Sequence, residues 1–237
     1  MTSASARHAW DLRPRDAREL QLQLAPLVET EGEPGNVRIV AGVDVAAPRS
    51  ARMARVALVL LSFPTLEEVG HVALELGVQF PYVPGLLSFR EAPLILTALE
   101  RLGTPPDLLF VDGQGVAHPR RFGIASHIGL LTGIPTIGCA KSRLVGQYEM
   151  PGEHPGDRSM LMDDGQRIGT VVRTKAGARP LFVSPGHRIG FEEATRWVLA
   201  CCRGHRLPEP TYLADRMSKA SVLRDSRSPG EGWENPQ

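Results

Sequence analysis

The sequence predicts an α/β fold in a single domain: one mixed β-sheet flanked by helices. Three observations carry this. Strand-like runs at Val37–Val45, Arg55–Leu61 and Glu68–Glu75 are joined by short linkers carrying Pro48, Arg49 and Ser50, then Pro64 and Thr65. Short connections imply an antiparallel meander. From Ala92 onward, helical and strand patterns alternate, so a mixed sheet covered on both faces is expected. At 237 residues and 42% hydrophobic content, the chain can bury one substantial core, which favours one domain over two.

In chain order, residues 1–30 contain an amphipathic helix with Leu20, Leu22 and the run from Leu24 to Leu27 among charged positions, ended by a polar Gly/Pro break at Glu31–Asn36. The Val37–Val45 strand is apolar on both faces near its end, which places it inside the sheet. From Ala92 to Leu102 the period becomes helical, with Leu94, Ile95, Ala98, Leu99 and Leu102 on one stripe. Leu108–Val111 has the length and composition of a buried parallel strand. A helix over Phe122–Leu131, a strand at Pro135–Ala140 and a Gly/Pro/Asp-rich loop at Met150–Gly165 follow. Strands at Ile168–Thr174 and Pro180–Val183 precede a helix from Phe191 to Cys202, whose face is Phe191, Ala194, Trp197, Val198 and Cys201. The domain is expected over residues 1–220, with a disordered tail over residues 221–237 rich in Ser, Pro, Gly and charge. No internal repeat is evident.

Bulk charge does not announce a nucleic-acid binder: 27 basic against 26 acidic residues leave a net charge of +1. Any phosphate-binding surface must arise by local clustering. Cys139, Cys201 and Cys202 are an odd number in no metal-ligand spacing, which fits a reduced, cytoplasmic compartment. Met1–Arg18 does not read as a signal peptide, and no apolar run is long enough to cross a bilayer.

The chemistry gathers at Asp107–Arg121, DLLFVDGQGVAHPRR. Asp112 follows the apolar run directly, at the strand end where open α/β sheets place ligands. The Asp112-Gly113 pair also fits an ordinary strand-ending turn. Gly113 and Gly115 let another backbone or a ligand come close, and His118, Arg120 and Arg121 bring donors suited to phosphate. Asp44 is a second carboxylate on an interior strand with no evident local partner. An unpaired buried carboxylate costs several kcal/mol or more, so two of them point to a hard divalent metal with oxygen ligands. Glu91, in Ser88-Phe89-Arg90-Glu91, reads either as the glutamate of a capping box or as a third acidic group. Pro93 argues against that capping register and places the helix start after Glu91. Pro81-Tyr82-Val83-Pro84-Gly85 is a stiffened loop that projects one aromatic ring.

Six blocks resemble endonuclease V: AGVDVA (41–46), PYVPGLLSFRE (81–91), FVDGQGVAHPRRFGIASHIGL (110–130), IPTIGCAKSRL (134–144), FVSPGH (182–187) and LPEPTYLAD (207–215). They stand in that family's order and span most of residues 35–216. The resemblance implies a ribonuclease-H-like sheet and a DNA repair nuclease that recognises deoxyinosine. It implies hydrolysis of the second phosphodiester bond 3′ to the lesion, leaving 3′-hydroxyl and 5′-phosphate ends. It implies Asp44 and Asp112 as ligands of Mg²⁺, with Mn²⁺ substituting, Glu91 as a further ligand or a positioner of the attacking water, and Lys141 at the scissile phosphate. Asp215 is a further participant, on a helix after two prolines, at a position where some members carry histidine. Tyr82 becomes a strand-separating wedge, and Gly85, Arg90, Gly113, His118, Arg120 and Arg121 become contacts to substrate. Arg143, Arg173, Lys175 and Arg179 could extend a basic groove. His127 reads as structural, and His187 receives no role. The enzyme is expected to be a monomer. The rival readings are an inosine-specific ribonuclease, another ribonuclease-H-like nuclease, and a fold relative that only binds nucleic acid.

Overall fold

The computed structural model describes residues 8–220 except 49 and 51. The three N-terminal runs form β1 (Ile39–Ala46), β2 (Met53–Ser62) and β3 (Glu68–Gly77), paired antiparallel as a meander. The rest of the sheet comprises β4 (Leu108–Val111), β5 (Thr136–Ala140), β6 (Arg158–Asp163), β7 (Gln166–Val172) and β8 (Leu181–His187). The helices are α1 (Pro14–Leu24), α2 (Leu87–Glu100), α3 (Ile124–Thr132), α4 (Phe191–Ala200) and α5 (Glu209–Lys219). All eight strands join one sheet in the order β3-β2-β1-β4-β5-β8-β7-β6. β4 is parallel to both β1 and β5, because α2 and α3 supply the crossovers. This is the mixed sheet, one domain flanked by helices, that the sequence predicts.

Strand residues alternate between two cores. From β1 and β4, Val40, Leu108 and Phe110 pack with Val198 of α4 and Ala214 of α5. Ala41, Val43, Leu109 and Val111 pack instead with Ile95 and Ala98 of α2 and Ile128 of α3. Both faces of these strands are therefore covered, which explains their unbroken apolar runs. Each buried Val, Leu, Ile or Phe among them contributes roughly 1.5–3 kcal/mol on burial.

Three elements differ from expectation. α2 begins at Leu87, so Ser88 caps nothing, Glu91 lies inside the helix, and Pro93 is an interior residue. Pro93 deletes one backbone bond, but the helix persists because Phe89, Leu94, Ile95 and Ala98 bury its face. The Gly/Pro/Asp-rich loop contains β6, an edge strand paired with β7. Only Leu161 of β6 is buried, so the segment carries little apolar signal. β8 runs on through Pro185 to His187, beyond the strand end expected at Val183. The expected tail lies outside the described residues.

Candidate active site

The register of two parallel strands builds the centre. Val43 pairs with Val111, so Asp44 and Asp112 are the next positions on adjacent strands. The ladder continues to this point, since the Asp112 amide donates to the Val43 carbonyl at 3.1 Å. By alternation both side chains fall on the sheet face covered by α5. α5 lies close against β1 at Gly42, where a Cβ would overlap the Pro210 backbone and sit 2.5 Å from the Thr211 amide nitrogen. That approach delivers Asp215, and carboxylate oxygens of Asp44, Asp112 and Asp215 lie within 4.8 Å of one another. Glu91 comes from α2 on the opposite face, near enough that Asp44 and Asp112 act on its charge.

The electrostatics follow from this crowding. Burial, then the charges of Asp44 and Asp112, push the Glu91 carboxyl up to about 8. Burial and Asp44 push Asp112 up to about 7, against the pull of Lys141. The Lys141 ammonium donates to both Asp112 and Asp215. Burial opposes its charge, yet the two carboxylates leave its pKa raised. Burial likewise pushes Asp215 upward, but hydrogen bonds from Lys141 and Lys219 (the latter 2.6 Å) outweigh it and leave its carboxyl below the usual range. Ser218 donates to Asp44 from one turn beyond Asp215. Three converging carboxylates, Asp44, Asp112 and Asp215, form an oxygen-only donor set, with Glu91 near enough to feel their charge. Such a set fits a hard divalent cation. Asp44, Asp112 and Asp215 could hold it directly, with Glu91 beside them.

A cavity of about 330 Å³ opens beside this centre, lined among others by Tyr82, Gly85, Asp112, Gly113, Gln114 and Lys141. Gly85 has φ +76°, a conformation that glycine adopts without penalty. Its carbonyl accepts from Gln21 at 3.2 Å, His118 Nε2 at 3.0 Å and Arg120 at 2.7 Å. The Arg120 amide donates to His118 Nδ1 at 3.2 Å, so Nε2 carries the proton toward Gly85. Burial, reinforced by Arg120, lowers His118 to about 4 and keeps it neutral. Gly115 is also a close approach, since a Cβ there would overlap the Pro185 carbonyl.

The structure brings Asp44, Glu91, Asp112, Lys141 and Asp215 together, with Gly85 and Gly113 on the adjoining cavity. It gives several expected substrate contacts work inside the protein. Arg90 is buried and donates to the Phe80 and Pro48 carbonyls at 2.9 and 3.0 Å. Arg121 pairs with Asp163 at 2.8 Å, Arg143 donates to the Gly146 carbonyl at 2.9 Å, and Arg173 is buried against the carbonyls of Pro151, Gly152 and Ala178. Tyr82 is 39% exposed, at the cavity mouth. His127 is fully buried among Trp10, Phe89 and Phe122, and His187 Nδ1 accepts the Glu29 amide at 3.2 Å. Sequence reasoning missed Ser218 and Lys219, although their spacing three and four residues after Asp215 puts all three on one helix face. Gln21, 64 residues from Gly85, had no local signal.

The family model described as Endonuclease V matches residues 22–216. Endonuclease V of Gloeobacter violaceus is 50% identical over 230 residues, covering 96% of this chain and 93% of that protein. The crystal structure of Endonuclease V from Streptomyces avermitilis superposes with a TM-score of 0.83 at 42% identity, covering 89% of this chain and 93% of the other. Ciona intestinalis Endonuclease V, solved with a 23mer DNA containing an inosine followed by a ribo-adenosine, gives a TM-score of 0.75 at 26% identity over 86% of this chain and 94% of that one. With its acidic centre on the ends of β1 and β4 and its matching sequence over nearly the whole described chain, this protein belongs to the endonuclease V family of nucleases.

Proposed function

We propose that this endonuclease recognises deoxyinosine in DNA and, with Mg²⁺, hydrolyses the second phosphodiester bond 3′ to it, leaving 3′-hydroxyl and 5′-phosphate ends. The observation that carries the reading is the convergence of Asp44, Asp112 and Asp215 beside Glu91 in a chain of this family. The inosine-containing DNA bound by the Ciona relative supports the substrate. When bound, the metal lowers the pKa of an attacking water and offsets charge on the phosphoryl group. Asp44, Asp112 and Asp215 would hold it, and Glu91, once ionised beside the cation, would orient the attacking water by accepting a hydrogen bond from it. Lys141, kept charged by Asp112 and Asp215, meets the negative charge that develops on the phosphate.

Substrate selection belongs to the neighbouring cavity. Hypoxanthine presents an oxygen and an N–H where adenine presents an amino group and a bare nitrogen. Backbone groups around Gly85 and Gly113 read that difference, and adenine is rejected by unpaired or like-facing groups. Because the Gly85 carbonyl already accepts three donors, its work is to fix the loop. His118, Arg120 and Arg90 then act on the substrate through the loop they hold. Tyr82 fills the stack left by the displaced base.

We take the protein to act as a cytoplasmic monomer; its three free cysteines suit a reducing compartment, and among the described residues no helix is long and apolar enough to cross a membrane. Inosine-containing RNA is the second reading, favoured by the ribo-adenosine that follows inosine in the Ciona complex. The test is single-turnover cleavage of matched oligonucleotides bearing inosine or adenosine in DNA or RNA, with Mg²⁺ or EDTA. Cleavage confined to inosine-DNA with Mg²⁺ is expected. Equal cutting of adenosine controls, or cutting in EDTA, would overturn the proposal, and faster cutting of RNA would establish the second reading.

A further inference from the structure

Lys141 stands in the wall between two cavities. One holds Tyr82, Gly85 and Gly113; the other, about 560 Å³, is lined among others by Lys141, Lys175, His205, Arg206 and Tyr212. This second cavity gathers basic side chains around Lys141. Arg90, Arg121, Arg143 and Arg173 spend their donors on carbonyls or carboxylates of the protein. Lys175 and Arg179, by contrast, have no ion-pair or side-chain hydrogen-bond partner among the described residues. Arg179 is close enough to oppose the charge of Arg206.

Arg206 ties this cavity to the catalytic centre. Its guanidinium donates to the Lys141 carbonyl and, at 2.8 Å, to that of Pro180, while its Nε is buried without a partner among the described residues. Thr174 donates to the Arg206 carbonyl, fixing the loop that carries Lys175. His205 stacks on Tyr212 with ring centroids 3.6 Å apart and an interplanar angle of 10°, so that wall is rigid. The same helix carries Asp215, but Lys141 and Lys219 occupy that carboxylate. Lys141 is matched by Asp112 and Asp215, and Arg206 is opposed in part by Asp112. Lys175 and Arg179, however, add cations with no matching acid among the described residues, which leaves a site for an anion.

We propose that this cavity is a phosphate subsite for the substrate strand, taking the phosphodiester group one nucleotide beyond the scissile bond on its 3′ side. The inference rests on the proposed function for its direction. If the lesion base enters the cavity at Gly85 and the scissile phosphate lies at Lys141, the strand leaving Lys141 on the far side is the 3′ strand. Lys175 and Arg179 contact that phosphate, and Arg206 keeps the subsite in register with Lys141.

The test compares single-stranded inosine oligonucleotides that differ only beyond the scissile bond. One ends with a single nucleotide bearing a 3′-hydroxyl, one ends with that nucleotide bearing a 3′-phosphate, and one continues for several nucleotides. With the wild-type protein, affinity and kcat/KM should rise by about tenfold from the first to the second, the effect of one charge-assisted contact, and little further for the third. In Lys175→Gln, and more fully in Lys175→Gln with Arg179→Gln, that gain should disappear while activity on the shortest substrate is retained. The log-affinity against log-salt slope for the longest strand should fall by about one for each lost contact. Equal losses on all three substrates, or no gain from the terminal phosphate in the wild type, would overturn the subsite. Affinity measured in EDTA reads the subsite independently of cleavage. A phosphate gain that depends on Lys175 would uphold it even if no inosine strand were cut, in which case the proposed function would fail alone.

Discussion

Glu91 and Asp112 are held protonated to about 8 and about 7 by burial and by the carboxylates around them, whereas an unfolded chain ionises such groups near pH ~4. The folded protein therefore binds more protons than the unfolded one over that interval, and this contribution to stability is lost as pH rises through 7 and 8. His118, lowered to about 4, and His127, lowered further by complete burial, act in the opposite sense. Their unfolded forms take up protons below about 6.5, so their contribution is lost toward acid. The two effects offset one another below pH ~6.5, and only the carboxylates remain above it. In EDTA the melting temperature is expected to fall from pH 6.5 to 8.5; Mg²⁺ should largely remove the fall, and Asp112→Asn should reduce it. A melting temperature in EDTA that is flat or rising over this range would contradict the burial of charge at the centre. Asp44 and Asp112 were legible in the sequence because apolar strands lead directly to them. The inward roles of Arg90 and Arg120 were not, because an arginine donating to a carbonyl and one awaiting a phosphate look alike in a string of residues.

The loop between β3 and α2 is fixed at both ends: Phe80 by Arg90, and Gly85 by Gln21, His118 and Arg120. Tyr82 stands exposed between these anchors. Tyr82→Ala should weaken cleavage of inosine in duplex DNA by about 1–3 kcal/mol, the value of one stacking platform, and less in a single strand. Phe should preserve most activity. Equal losses on duplex and single strand under single turnover would reduce Tyr82 to a structural residue. The packing of α5 on β1 makes a second prediction. Gly42→Ala drives a methyl into the Pro210 backbone, so stability in urea should drop by at least ~2 kcal/mol, with Mg²⁺ affinity falling as Asp215 and Ser218 move. An unchanged unfolding midpoint would show that α5 is free to shift. Element by element, the sheet interior and α2–α4 were legible because their apolar patterns match one period. β6 was hidden because an edge strand that buries only Leu161 needs no pattern. The start of α2 was misplaced because tertiary packing outweighs a proline's local cost.

Across the whole molecule a net charge of +1 conceals an uneven distribution, with four carboxylates gathered at the strand ends and unpaired cations collected beyond Lys141. Affinity for inosine-containing strands should therefore fall steeply with salt, through counterions released locally, and a flat log–log plot between low and physiological salt would contradict it. A bound metal would offset the repulsion between the acidic centre and the scissile phosphate. The sequence reached the identity of the two strand aspartates, but their convergence with Asp215 depends on a crossover and a helix docked at Gly42, which no local pattern encodes. The measurement that tests the central claim most directly is calorimetric titration of Mg²⁺ into the wild-type protein, Asp44→Asn and Asp112→Asn, each confirmed as folded. Binding by the wild type, weakened at least about tenfold in each variant, is the expected result. Affinity unchanged in both variants would show that these carboxylates do not hold the metal.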